Sequence, residues 1–158
     1  ARRIGLRLMP APKRSRARSA ARLAAVQALY QQEMEGTPTP ILLHEFHQHR
    51  FGQTIDDVTM IDAEMDFFDD VVRGVTARRE EIDGKVTARL AEGWKLERLD
   101  RAMRAILRAG TYELLARPDV TVGTVIDEYL DIAHAFFGEK DVKFVNGLLD
   151  KVAGDVRA

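Results

Sequence analysis

The amino-acid sequence predicts an all-α domain of about seven helices, and three observations support this fold class. Apolar residues recur every three or four positions along most of the chain, the spacing that places them on one face of a helix. No stretch alternates convincingly with the period of two that a half-buried strand shows. Glycine and proline fall mostly between the apolar stripes, where helices would end. A chain of 158 residues that is 46% hydrophobic can bury one proper core.

The N-terminal elements are delimited by proline and glycine. Residues 1–12 end in "MPAP", whose prolines block helix continuation, and we expect this stretch to be a flexible basic arm. A first helix is predicted over residues 14–35, ending at Gly36 and the turn-forming "TPTP". A second helix is predicted over "ILLHEFHQHR", with Pro40 in its first turn.

Five more amphipathic segments complete the helical set. Their ranges are 65–75, 80–90, 99–114, 122–136 and 145–156. The stripe at 122–136 is the most regular, and it includes Phe136 as its last apolar residue. We interpret residues 13–158 as one helical domain that follows the arm.

The charge of the chain is unevenly distributed. Residues 1–32 carry eight of the 24 bases and none of the 25 acids, so the rest of the chain has a balance of −9. A basic arm on an acidic body indicates a polyanionic partner, and nucleic acid is the commonest polyanion. The alternative interpretation of the same charges is a solvated tail without a ligand.

Several classes of chemistry are excluded or unsupported. The chain has no cysteine, which excludes disulfides, thiolate metal sites and cysteine catalysis and fits a reducing cytoplasm. No apolar run approaches the roughly 20 residues that span a bilayer, so no membrane association is expected. Because the sequence has no phosphate-binding glycine loop, nucleophile elbow or HExxH pattern, we expect neither an enzyme nor a bound cofactor.

Three histidines in "HEFHQH" are candidates for zinc ligands, whereas the acid pairs Asp56/Asp57 and Asp69/Asp70 lack the glycine and terminal glutamate of a calcium loop. The histidines are His44, His47 and His49. Zinc takes four protein ligands in a structural site, or three and a water in a catalytic one. Since the fourth histidine, His134, lies on a distant predicted helix, we predict no metal site and interpret the three as polar positions on a short surface helix.

The first predicted helix combines a cationic stripe with an apolar face. The stripe consists of Arg14, Arg18 and Arg22. A different face is predicted to pack on the body through Leu23, Val26, Tyr30 and Met34. Bases at a helix N-terminus oppose the macrodipole by a few tenths of a kcal/mol each, and a phosphate backbone would relieve that repulsion. Arginine, which predominates here, forks onto phosphates or stacks on bases.

Three segments resemble the NusB family of transcription antitermination factors. They are "RSRARSAARLAAVQALYQQE", "LERLDRAMRAILRAGTYELL" and "VIDEYLDIAHAFFGEKDVKFVNGLLDKVA", and the resemblance covers nearly the whole chain from Lys13. It implies an all-helical fold of two packed bundles and a non-catalytic factor. Family members bind boxA, a short single-stranded element of ribosomal RNA leader transcripts, together with a small-subunit ribosomal protein, NusE. They load onto RNA polymerase with other elongation factors to read through terminators, and some relatives form homodimers.

The resemblance and the arginine stripe together give a set of expected RNA contacts. They are Lys13, Arg14, Arg16, Arg18, Arg22, Tyr30, Lys143 and Phe144. Phe144 offers a ring for base stacking, the alternative being a core aromatic. Asp100 occupies an acidic position that the family has near its RNA or protein interface, and the alternative is a simple helix N-terminal charge. Lys140 adds positive charge in a loop that departs from the family pattern.

Two other functions remain open from the sequence. One is a pure protein–protein adaptor whose basic arm only solubilises it. The other is an RNA-binding domain related to the one that precedes the catalytic domain of some ribosomal RNA cytosine methyltransferases. We expect this second function less, because the chain ends directly after its last predicted helix.

Overall fold

A computed structural model describes residues 13–49, 54–55, 58–59 and 62–157. The predicted arm at 1–12 lies outside these residues and stays a prediction. The described part contains seven α-helices: α1 (Lys13–Glu35), α2 (Thr39–His49), α3 (Asp62–Ala77), α4 (Arg79–Thr87), α5 (Arg101–Ala116), α6 (Val122–Phe136) and α7 (Glu139–Val156). The all-α prediction is confirmed.

Two short elements were not predicted. A 3-10 turn covers Leu96–Arg98 before α5, and strands β1 (Thr54–Ile55) and β2 (Val58–Thr59) form an antiparallel pair in which Thr54 lies opposite Thr59. Strands of two residues are too short to show a period-two pattern in a sequence.

The helix ends have local causes. α1 ends where Gly36 adopts a φ of 69° and its N–H donates to the carbonyl of Gln32 at 2.8 Å. α5 begins after Asp100, whose carboxylate accepts the N–H groups of Ala102 and Met103. α7 begins at Glu139, six residues before its predicted start at Val145, because Val142 is buried and extends the stripe of Val145 backwards.

The helices form two groups that share α5. α1, α2 and α3 pack against one another, α6 packs against α7, and α4 packs against α5. α5 also contacts α1, α3, α6 and α7, and its side chains are buried along most of its length. The first group contains the arginine-rich helix α1, and the second contains the end of α6 and the start of α7.

α1 packs mainly through alanines, together with Val26 and Leu23 of the predicted face. Its most buried apolar side chains are Ala17, Ala21, Ala24, Ala25, Ala28, Val26 and Leu29. Small side chains let a helix approach its neighbours closely, so α1 reaches α3 and α5 without bulky residues. The predicted packing of Tyr30 and Met34 is wrong, since they are 41% and 48% exposed. The described helices include none with the length and apolar content that crossing a bilayer requires.

Candidate nucleic-acid interface

The arginine-rich start of α1 divides into residues that face different surroundings. Lys13 and Arg14 lie in its first turn, and the side chains the structure describes begin at Arg16. Arg16 is half-buried, and its Nε atom has no hydrogen-bond partner among the described residues. This Nε atom is itself buried, so it is not open to a ligand in this conformation.

Arg18 and Arg22 are both engaged inside the protein. Arg18 Nε donates to Glu64 Oε1 at 2.9 Å while its guanidinium lies 4.5 Å from the centre of the Phe67 ring. Arg22, only 2% exposed, forks onto Glu113 through Nε at 2.8 Å and Nη2 at 3.1 Å. Its Nη1 donates to Glu128 at 3.0 Å. Arg22 thus joins α1 to α5 and α6, and Arg18 keeps only its partly exposed edge for a ligand.

The charge of Arg22 is compensated by groups inside the protein. Burial by itself would lower the pKa of Arg22, but the hydrogen bond and charge of Glu113 raise it above its ordinary value. Tyr129 donates to Glu113 Oε2 at 2.5 Å, and burial followed by the charge of Glu113 raises the pKa of Tyr129 well above 10. Near neutral pH Arg22 therefore stays charged and Tyr129 stays neutral, and both contribute to the stability of the fold rather than to ligand binding.

The candidate site is built around Asp100, which lines two adjoining grooves. The first groove, about 380 Å³, contains Tyr30 of α1 and Phe136 and Phe137 at the end of α6. Tyr30 and Phe136 expose large parts of their rings there. The floor is apolar and the rim carries Gln27, so flat rings can enter between exposed aromatic side chains.

The second groove, about 480 Å³, joins the first through Asp100 and Phe137. It contains Trp94 and Phe144, which are 59% and 37% exposed. Charged and apolar residues complete its lining: Arg98, Asp141, Lys140, Ala91, Leu99 and Met103. Lys143 is exposed on α7 beside Phe144 but lines neither groove.

The structure therefore brings together three of the predicted site residues from distant parts of the chain, Tyr30, Asp100 and Phe144. It also adds residues that sequence reasoning missed. Phe136 was predicted to belong to the apolar stripe of α6, but it stands at the last helical position and is exposed. Trp94 carried a usable signal, because a single tryptophan in the polar stretch "AEGWKLER" has few apolar neighbours with which to pack.

Of the three histidines, the structure describes the side chains of His44 and His47, and the side chain of His49 lies outside the described part. His47 Nε2 lies 2.6 Å from Asp69 Oδ1, and His44 is exposed. No group of three or more histidines and carboxylates in the described part of the chain is placed to hold a metal ion.

Helices and grooves together define an all-α protein whose candidate site is an open, aromatic surface rather than an enclosed catalytic pocket. A family model described as the NusB family matches residues 19–154. The chain belongs to the NusB family. Because this is a family of non-catalytic factors, the prediction that the chain is not an enzyme is confirmed.

Individual relatives agree with this assignment. Transcription antitermination protein NusB of Novosphingobium aromaticivorans is 68% identical over 142 residues, which cover 90% of this chain and 96% of the relative. The protein of the same name from Sphingopyxis alaskensis is 63% identical over 145 residues, covering 92% and 97%.

Solved structures show the same fold. NusB of T. maritima superposes with a TM-score of 0.75 at 31% identity and covers 93% of this chain and 94% of its own. A structure of antitermination factors NusB and NusE in complex with dsRNA has a TM-score of 0.71 at 26% identity, covering 89% and 98%.

Proposed function

We propose that this protein is a transcription antitermination factor of the cytoplasm. It binds the single-stranded boxA element of ribosomal RNA leader transcripts together with NusE, and it helps RNA polymerase read through terminators in ribosomal RNA operons. The names of the two relatives described above and the NusB–NusE–RNA structure support this role. The observation that carries it is the pair of adjoining grooves in which the exposed rings of Tyr30 and Phe144 flank Asp100.

The proposed RNA contacts divide by chemistry. Tyr30 and Phe144 stack on bases, since exposed aromatic rings contribute about 1–3 kcal/mol per base in single-strand binders. Phosphates are held by the cations at the start of α1 and on α7, namely Lys13, Arg14, Arg16, Lys143 and the exposed edge of Arg18. Arg22 is left out of the contacts, because its donors are used by Glu113 and Glu128.

Asp100 is proposed as a contact for NusE. Its Oδ1 accepts both capping N–H groups of α5, at 2.8 and 3.3 Å. Its Oδ2 accepts no hydrogen bond from the described residues, so it can receive a donor from a partner without uncapping the helix. The helix-capping interpretation and the interface interpretation therefore hold together, one for each oxygen.

Larger assemblies follow from the same proposal. The complex with NusE and RNA joins the elongating RNA polymerase and other Nus factors. A homodimer that buries the two grooves competes with RNA, so RNA binding and dimerisation are expected to exclude each other.

The proposal is tested by fluorescence anisotropy of labelled boxA RNA and a scrambled RNA of equal composition, with and without NusE, at two salt concentrations. Preference for boxA that NusE strengthens and salt weakens is expected. The Tyr30→Ala and Phe144→Ala variants lose about 1–3 kcal/mol of binding free energy each. Ile41→Ala removes an exposed apolar side chain from α2, outside both grooves, and leaves affinity unchanged.

A second pair of variants checks the phosphate contacts. Lys143→Ala reduces the slope of log affinity against log salt by roughly 0.7, while Lys151→Ala, an exposed lysine on the same helix, leaves the slope unchanged. Equal and weak binding to boxA and scrambled RNA would contradict the proposal and favour the adaptor function instead.

A further inference from the structure

Trp94 is the most exposed large hydrophobic side chain in the described part of the structure. It lies in the connection between α4 and α5, where its backbone N–H donates to the carbonyl of Ala91 at 3.0 Å. A tryptophan that folding leaves in water is unusual, because the indole ring is among the largest apolar groups a chain can bury. The ring lines the same groove as Phe144.

The charged side chains that line this groove differ in whether they have interactions within the protein. Asp100 caps α5, and Asp141 lies in the first turn of α7, where the helix dipole favours a negative charge. Arg98 has neither a carboxylate within ion-pair distance nor a hydrogen-bonded acceptor for its side chain among the described residues, whereas most arginines there are paired. Asp100 thus has local N–H donors on one oxygen, Asp141 lies where the helix dipole favours its charge, and the cations Arg98 and Lys140 remain for an outside anion.

We propose that the groove between Trp94 and Phe144 holds one unpaired base of the bound RNA, with Arg98 and Lys140 on its phosphate. This inference rests on the proposed function and extends it to a second stacking position beyond Phe144. Two aromatic rings in one groove can contact a flat base, and the apolar floor of Leu99 and Met103 replaces water around it. The groove is continuous with the Tyr30 groove through Asp100 and Phe137, so a single strand can cross both.

The test uses Trp94 as its own probe, because it is the only tryptophan in the sequence. The protein is titrated with boxA RNA while tryptophan fluorescence and RNA anisotropy are recorded together. Stacking on a base quenches Trp94 and shields it from acrylamide, with the same midpoint as the anisotropy change. An anisotropy change without shielding of Trp94 would overturn this inference and leave the proposed function intact. The absence of any binding would overturn both.

Variants separate stacking from folding. Trp94→Leu is expected to weaken binding about tenfold, and Trp94→Phe, which keeps an aromatic ring, recovers most of the loss. Arg98→Ala reduces the salt slope by roughly 0.7, whereas Arg73→Ala, an exposed arginine of α3 outside the groove, does not. Equal affinities for the Trp94→Leu and wild-type proteins would contradict the stacking position even if fluorescence changed.

Discussion

At the scale of single residues, the interior is held by charged side chains whose partners come from other helices. Arg108 forks onto Asp83 at 2.8 and 3.0 Å, and Arg104 and Arg108 both bind Glu33. Burial alone would raise the pKa of Glu33, but Arg104 and Arg108 lower it. Such pairs stabilise the fold only while both partners are present.

Tyr112 gives a pH-dependent prediction. Its hydroxyl donates to Asp70 at 2.8 Å, and burial together with that bond raises its pKa to about 12. An unfolded tyrosine titrates near pH 10, so between pH 10 and 12 the unfolded chain releases a proton that the folded protein retains. The stabilisation is therefore complete below pH 10 and is lost as the pH approaches 12.

The check is urea unfolding of the wild type and the Tyr112→Phe variant from pH 9 to 12. The variant is less stable by about 0.5–1.5 kcal/mol at pH 9, because it lacks the hydrogen bond. The two stabilities converge between pH 10 and 12, since only the wild type has this tyrosine to ionise. Parallel curves over that interval would show that Tyr112 has an ordinary pKa.

The sequence predicted features that depend on neighbouring residues, but it did not predict contacts between residues that are far apart along the chain. Helical spacing identified Arg14, Arg18 and Arg22 as one stripe, but spacing cannot show what a cation faces. The partner of Arg22 is Glu113, 91 residues away, and that of Arg18 is Glu64, 46 residues away. Burial of an arginine therefore depended on contacts that no local pattern contains.

At the scale of helices, α3 and α5 approach each other closely at Gly74. A Cβ atom added at Gly74 would lie 2.1 Å from Cζ of Tyr112. The ring of Tyr112 thus occupies the space above the backbone of α3, and a glycine is required in the last turn of a helix that would otherwise favour alanine. The small residues of α1 serve the same purpose where α1 meets α3.

We predict that Gly74→Ala destabilises the protein by about 1–3 kcal/mol, because the methyl group must displace the ring of Tyr112 or separate the helices. Gly84→Ala is the matched control, since its Cβ meets nothing within 4 Å in α4. That substitution stabilises the protein by about 0.5–1 kcal/mol. Thermal unfolding of both variants measures the difference.

A double variant identifies the cause of the Gly74 effect. Gly74→Ala combined with Tyr112→Leu is expected to lose less stability than the two single variants added together, because the contact that clashes is gone. Strict additivity would show that Gly74 is required for a reason other than the Tyr112 ring.

Helix boundaries were predictable where a residue type with a known preference for helix ends marks them. Gly36 and the capping residues Asp100 and Thr121 are visible in the sequence and lie at helix ends in the structure. The start of α7 was missed because Gly138, its N-cap, makes no side-chain hydrogen bond. Apolar periodicity continues to the end of a helix even where the neighbouring helix does not extend far enough to cover the last residues. The exposure of Phe136 was missed for this reason.

At the scale of the whole molecule, the two grooves exist only because distant segments converge on Asp100. Tyr30, Trp94, Phe136 and Phe144 belong to α1, the α4–α5 connection, α6 and α7. The sequence predicted the helices and, through resemblance, two of these residues, Tyr30 and Phe144. It did not predict that Trp94 shares a groove with Phe144, because periodicity defines a helix face and not the neighbour of that face.

The two helical groups are also joined through α1. Arg18 binds Glu64 of α3 in the first group, while Arg22 binds Glu113 of α5 and Glu128 of α6. Ser19 donates to Glu128 at 2.6 Å between them. Since α5 is common to both groups, the contacts of α1 and α5 favour one cooperative unit over two independent ones.

Glu113→Gln tests this cooperativity. The variant leaves the guanidinium of Arg22 buried beside a neutral amide, with Glu128 as its remaining carboxylate partner, and removing one partner of a buried ion pair costs up to about 3–5 kcal/mol. If the molecule is one unit, hydrogen–deuterium exchange of the slowest amides in α3 and in α7 accelerates by the same factor. Acceleration in α7 alone would show that the groups unfold separately. Adding Arg22→Met recovers much of the loss, because the uncompensated charge is then removed, and the recovery must again reach both helices equally.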